Sequence, residues 1–147
     1  MVLGVSAQAD VSVRILLCLA GHGGEADVEM IRKTEGLYLF QQDEGLRLLE
    51  RAGLVEVCGD VCRLRCAPEA MSLYDVVRAV QGEVEVAQCM GDEGFCPWQT
   101  EARCAVRRML EPVQENLEKE LGAWTLESLA KEGRRLKDVC PVSAGQE

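Results

Sequence analysis

The chain has 147 residues and a formal net charge of −9, with 48% hydrophobic but only 4% aromatic residues, which fits one aliphatic-cored domain with an appended helix. No apolar run approaches the length of a membrane span, and Met1 to Asp10 has neither the basic flank nor the long apolar block of a secretory signal, so the expected setting is the cytoplasm of a microbe. No phosphate loop or nucleophile–base pair is visible and His22 is the only histidine, which argues against an enzyme.

Asp10 to Ala20 is strongly apolar, with Val13, Leu16, Leu17 and Ala20 at helical spacing and Asp10 as a candidate N-cap. Gly21-His22-Gly23-Gly24 ends that helix, and His22 reads as an exposed turn residue. Asp27 to Thr34 is a short second helix with Val28 and Ile31 inward, broken by Gly36. Leu37 to Ala52 is a third, with Leu39, Phe40, Leu46, Leu49 and Leu48 as its inward candidates. Gly45 inside it costs roughly 1 kcal/mol relative to Ala.

Leu54 to Cys66 alternates every second residue about Gly59-Asp60, the pattern of a β-hairpin. Cys58 then pairs with Val61 and Val57 with Cys62. One face carries Val55, Val57, Cys62, Leu64 and Cys66, so Cys62 and Cys66 are expected to be buried and Cys58 exposed at the tip. Cys58, Cys62 and Cys66 also share a C-x3-C-x3-C spacing, but the hairpin puts Cys58 on the opposite face, which disfavours a metal site there.

Three helices followed by a hairpin make a winged helix-turn-helix, whose third helix enters the major groove while the hairpin lies along the backbone. Its candidate DNA contacts are Arg32, Lys33, Arg47, Arg51, Arg63 and Arg65, with Gln41 and Gln42 able to read base edges. Charge opposes this reading. Residues 1–70 hold seven Lys/Arg against eleven Asp/Glu, and residues 71–147 hold nine against fourteen, whereas phosphate contacts need local positive charge. Asp43 and Glu44 sit beside the two glutamines.

Ser72 is the N-cap of a helix running through Gln81, with Asp75 as its acidic partner and Leu73, Val76, Val77 and Val80 as its apolar stripe. Glu101 to Leu121 is the longest helix, carrying Val106, Met109, Leu110, Val113, Leu117 and Leu121 at spacings of three and four. Such a stripe needs a partner, and a second subunit is the simplest one. Pro112 should kink or loosen this helix. Thr125 opens a last short segment, and the tail after Lys137 reads as mobile.

Between these helices lies Cys89-Met-Gly-Asp-Glu-Gly-Phe-Cys96-Pro-Trp-Gln-Thr-Glu-Ala-Arg-Cys104. Eight cysteines without an export signal point to free thiols or metal ligation rather than a disulfide framework. Three thiolates on one glycine-bearing loop can hold a soft metal centre and leave one position for another ligand. Gly91 and Gly94 let the first arm fold back, Pro97 biases Cys96 to an extended conformation, and Cys104 falls in the first turn of the long helix, whose dipole favours a thiolate.

With these elements in order, the chain resembles the iron–sulfur-binding, IscR- and NsrR-like group of the Rrf-two family of bacterial transcriptional regulators. The resemblance spans roughly residues 8–132. It is carried by Asp10-Val-Ser-Val-Arg14-Ile-Leu-Leu-Cys-Leu-Ala20, Leu49-Glu-Arg-Ala-Gly53-Leu-Val55, Ser72-Leu-Tyr-Asp-Val-Val-Arg-Ala-Val80-Gln-Gly82, the three-cysteine loop and Leu121-Gly-Ala-Trp-Thr125-Leu-Glu-Ser-Leu129. It implies a mainly α fold with a small β-hairpin and a homodimer that binds promoter DNA under control of a redox- or nitric-oxide-sensitive iron–sulfur cluster, 2Fe–2S or 4Fe–4S. Cys89, Cys96 and Cys104 would be its ligands. The fourth ligand in some members is a histidine three positions after the third cysteine, where this chain has Arg107; in others it is an aspartate supplied by the second subunit, which Asp10 resembles. Helix capping is the competing role for Asp10. Two departures stand out: the C-x6-C-x7-C spacing is wider than usual, and the wing is cut down to Cys58-Gly59-Asp60-Val61.

The implied organisation is a DNA-binding domain over 8–84, the cysteine loop over 85–104, a dimerisation helix and C-terminal segment over 105–132 and a mobile tail over 133–147. The alternative function is an acidic winged-helix protein-interaction module that no longer binds DNA.

Overall fold

In the computed structural model, which describes residues 4–35, 39–90 and 104–139, the first apolar segment forms helix α1 (Ala7–Gly21). Its start is set by Ser6, whose Oγ accepts a hydrogen bond from the Ala9 N–H at 3.1 Å. Asp10 is therefore not the cap. It lies in the first turn, where its carboxylate pairs with Arg14 at 3.1 Å on the solvent side. Ala9, Val11, Ser12, Ile15, Leu16, Cys18 and Leu19 are buried. The helix ends at His22, which is exposed, and His22 Nδ1–H donates to the Cys18 carbonyl at 2.7 Å.

The chain then forms a three-residue strand, β1 (Glu25–Asp27), before α2 (Val28–Glu35). After α3 (Leu39–Arg51) come β2 (Val55–Cys58) and β3 (Val61–Leu64). The hairpin has the register expected of a Gly59-Asp60 turn, with Cys58 opposite Val61 and Val57 opposite Cys62. β1 adds a third strand on the other side of β3, in the order β1-β3-β2. The sheet is thus three-stranded rather than a lone hairpin. Only Ala26 of β1 is buried, which is too little apolar pattern to mark a strand in the sequence. Cys62 is fully buried, Cys66 half-buried and Cys58 exposed.

Helix α3 buries Gln42, Leu46 and Leu49. Phe40, expected inward, is 70% exposed, because two positions before Gln42 is about 200° around the helix. Gly45 faces α1 so closely that a Cβ there would lie 2.8 Å from Ile15 Cδ1 and 2.9 Å from Val11 Cγ1. The missing side chain is what lets the two backbones approach.

Helix α4 (Leu73–Gln81) has the expected capping box. Ser72 Oγ accepts from the Asp75 N–H and Asp75 Oδ2 accepts from the Ser72 N–H, both at 3.1 Å. Val76 and Val77 are buried. Helix α5 (Ala105–Ala123) runs through Pro112. Its Leu117 and Leu121 pack on a second small core of Ala9, Val77 and Val84. Its Val106, Met109 and Val113 are 59%, 62% and 48% exposed. Helix α6 (Leu126–Val139) is longer than the short segment expected, and residues 133–139, assigned to the tail from sequence, are helical. Thr125 Oγ1 accepts from the Ser128 N–H at 3.1 Å, and Ser128 Oγ accepts from the Thr125 N–H at 2.9 Å. Leu126 is fully buried in the main core, a contribution of about 2 kcal/mol. Around it, the Leu126 N–H donates to Met71 O and the Leu73 N–H to Trp124 O, tying α6 to the start of α4.

Two predictions follow from this packing. Gly45→Ala should destabilise the fold by about 1–2 kcal/mol in chemical denaturation, because overpacking against buried Ile15 and Val11 outweighs the gain in helix propensity; Ile15→Val, which removes the nearest methyl, should restore part of the loss. Burial, with Glu50 and Cys18 adding to it, raises the Cys62 thiol from 9.0 to about 11. The unfolded chain then releases this proton before the folded one does. Stability is unaffected below the unfolded value of 9.0 and falls as pH rises toward about 11, with a limiting slope of about 1.4 kcal/mol per pH unit. Denaturation midpoints over that window should fall less steeply in Cys62→Val than in the parent chain.

Candidate metal loop and nucleic-acid interface

Cys89 sits in a short 3₁₀ turn (Gln88–Met90) that packs on α5. Cys104 is the N-cap of α5, one residue before the first turn in which the sequence placed it, and makes no side-chain capping bond. Both cysteines are half-buried. Residues 91–103, with Cys96, Gly91, Gly94 and Pro97, lie outside the described residues, so the three-cysteine set is described only at its two ends. Among the described residues no three His, Cys, Asp or Glu side chains converge as a metal site would require. Arg107, three positions after Cys104, pairs with Glu111 at 3.8 Å.

The chemistry of the donor set fits a soft metal centre at the loop's ends. Cys104 stands at the N-terminus of α5, at the positive end of the helix dipole. Asp10 is exposed and is not consumed by capping, because Ser6 does that work. Cys62 and Cys66 are different in kind: burial pushes both thiols up, which keeps them protonated.

The DNA candidates divide in the same way. The outer face of α3 presents Phe40, Asp43, Arg47, Glu50 and Arg51, all exposed, with Gln41 half-buried at its edge. Gln42 is removed from this face. It is 1% exposed and its Nε2 donates to the Val28 carbonyl at 2.9 Å, fastening α3 to the start of α2. A helix face takes either Gln41 or Gln42, since adjacent residues point about 100° apart. Arg63 is exposed and pairs across the sheet with Glu25 at 2.7 Å, directly opposite in the β1–β3 register. Arg32 pairs with Glu29 one turn away. Lys33, Arg47, Arg51 and Arg65 are exposed and form no ion pair among the described residues. These four cations, on or beside the α2–α3–wing unit, offset part of the chain's acidity.

Sequence reasoning passed over one side chain near the loop. Gln114 is buried on α5 and its amide bonds to residues 84 and 86 just before Cys89. The available signal was its place between Leu110 and Leu117, a polar residue interrupting an apolar stripe.

The sequence model of the Rrf2 family, described as an iron-dependent transcriptional regulator, matches residues 5–132. Among solved structures, CymR of B. subtilis, described as its global cysteine regulator, is similar with a TM-score of 0.69 and 23% identity over 88% of this chain and 98% of that one. An oxidized form of Staphylococcus aureus CymR gives 0.65 at 21% identity over 88% and 97%. T. potens IscR gives 0.65 at 21% identity over 99% of this chain and 94% of that one. At these identities the likeness establishes a common fold. No curated protein matches the sequence at comparable significance. No helix among the described residues is long and apolar enough to cross a membrane. The family match covers nearly all of the chain, and the activity it carries is regulation rather than catalysis. The chain therefore belongs to the Rrf2 family of DNA-binding transcriptional regulators.

Proposed function

We propose that this regulator works as a homodimer whose promoter binding is set by an iron–sulfur cluster held by Cys89, Cys96 and Cys104, with Asp10 of the second copy as the fourth ligand. The observation that carries the reading is the placement of Cys89 and Cys104 against the same helix, one packed on α5 through its 3₁₀ turn and the other at its N-cap. The iron-dependent description of the family supports the metal, and so does the donor chemistry of the two ends.

The exposed stripe of Val106, Met109 and Val113 supplies the apolar seam for a second α5. Cys89, Cys96 and Cys104 with the second copy's Asp10 would hold the cluster, which would supply a link between the loop and both subunits that is sensitive to oxidation and nitric oxide. The rest is done by the chain itself. Arg47 and Arg51 on α3 and Lys33 and Arg65 beside it meet phosphates, Arg32 and Arg63 do so less because Glu29 and Glu25 hold them, and Gln41 is left to read a base edge. The two wings and recognition helices must match the spacing of two half-sites, so a small shift between subunits changes affinity. The domain division follows the same lines: DNA contacts over 8–84, sensing over 85–104, pairing over 105–132.

Anaerobic purification should give coloured protein with iron and sulfide in cluster ratio, and Cys96→Ser should lose both; colourless protein that is iron-poor or loaded with zinc would refute the cluster. Asp10→Ala should alter the visible spectrum while costing only about 0.3–0.5 kcal/mol of stability, since it removes one exposed i,i+4 ion pair and no cap. On duplex DNA from upstream of its own gene, Arg47→Ala and Arg51→Ala should each weaken binding and lower the slope of log K against log salt by about 1. Binding that ignores salt would favour a protein-interaction module instead.

A further inference from the structure

Gln114 is 8% exposed and makes three hydrogen bonds at once. Its Oε1 accepts from the Val86 N–H at 2.9 Å, and its Nε2 donates to the Val84 carbonyl and to Glu118 Oε1, both at 2.7 Å. The amide thus meets the backbone at residues 84 and 86 as an adjoining strand would. Val84 is itself buried at 1%, packed with Ala9 and Val77. Three residues beyond Val86 the chain reaches Cys89, in a turn that packs on the same helix. The other end of the loop is Cys104, the N-cap of α5. One loop end is therefore joined to α5 by the chain and the other by a side chain ten residues on, about 15 Å along the helix axis.

We infer that Gln114 is a positioning residue for the cysteine loop, its amide setting where Cys89 stands relative to Cys104. Glu118 holds that amide in one orientation, with the oxygen toward Val86 and the nitrogen toward Val84. A hydrophobic residue of similar size would fill the space but leave a donor and an acceptor of the entering segment unpaired. Movement of α5 is carried to Cys89 through this amide, and movement of Cys89 to α5. The regulatory meaning of the clamp rests on the proposed cluster; the clamp itself is a property of the metal-free chain.

The test is site-resolved alkylation of the full-length metal-free protein with iodoacetamide, read by mass spectrometry as the rate at Cys89 divided by the rate at Cys58. Cys58 is exposed at the wing tip and serves as an internal reference. Gln114→Met should raise the ratio about tenfold, the effect of losing buried hydrogen bonds on local opening, while Glu118→Gln, which keeps an acceptor for Nε2, should stay within about twofold of the parent. Continued protection of Cys62 shows that the variant is folded. An unchanged ratio in folded Gln114→Met would overturn the inference. Should that variant fail to fold, native-state hydrogen exchange of the parent chain decides: a Val86 amide as protected as the core of α5 supports the clamp, and one exchanging like an unprotected loop amide overturns it. A tenfold rise in a chain that purifies without iron supports the clamp and removes only the cluster.

Discussion

The fold depends on burying one face of α1. Its seven buried residues spread over about half of the helix circumference, wider than the stripe of an ordinary surface helix. No single partner can cover that width. Helices α2, α3, α4 and α6 and strands β1 and β3 all pack on it. The DNA-binding elements and the C-terminal helix are thus held by one shared scaffold. Closeness matters as much as area. The approach of α3 depends on Gly45 having no side chain, a residue that helix propensity alone would score as a weakness.

The proposed DNA contacts meet the chain's acidity by placement. The chain is acidic overall, yet Lys33, Arg47, Arg51 and Arg65 stand exposed and unpaired among the described residues. Arg63 and Arg32 are held by Glu25 and Glu29. Net charge measures the whole surface, whereas phosphate contact samples a few ångströms of it at physiological ionic strength. The sheet works against this at the wing, since β1 brings Glu25 opposite Arg63 and lowers the positive charge there.

Helix α5 does two jobs along its length. Its C-terminal half, with Leu117 and Leu121, belongs to the core of its own chain. Its N-terminal half leaves Val106, Met109 and Val113 in solvent. Gln114 lies at the division between them, where a polar residue on the inner face meets the backbone of residues 84 and 86. Such groups must find a partner when buried, and a glutamine amide offers both a donor and an acceptor.

The sequence by itself determined the local features. The Ser72–Asp75 capping box, the hairpin register about Gly59-Asp60, the burial of Cys62 and helices α1 to α5 were legible, because each is set by residues within a few positions of one another, whereas α6 read only as a short segment and a tail. The order of these elements and the loop cysteines carried the family as well. Tertiary structure alone decided what depends on distant segments. β1 is a strand only because β3 lies beside it. Ser6 rather than Asp10 caps α1, and Ser6 is held there by Gln81, far along the chain, whose Oε1 accepts from its N–H at 2.8 Å. Phe40 turns outward and Gln42 inward because α1 and α2 claim one face of α3. Gln114 is a clamp because residues 84–86 pass across it. Periodicity locates a helix face, but which polar group is desolvated, and which partner it then needs, is fixed by the chain that folds over it.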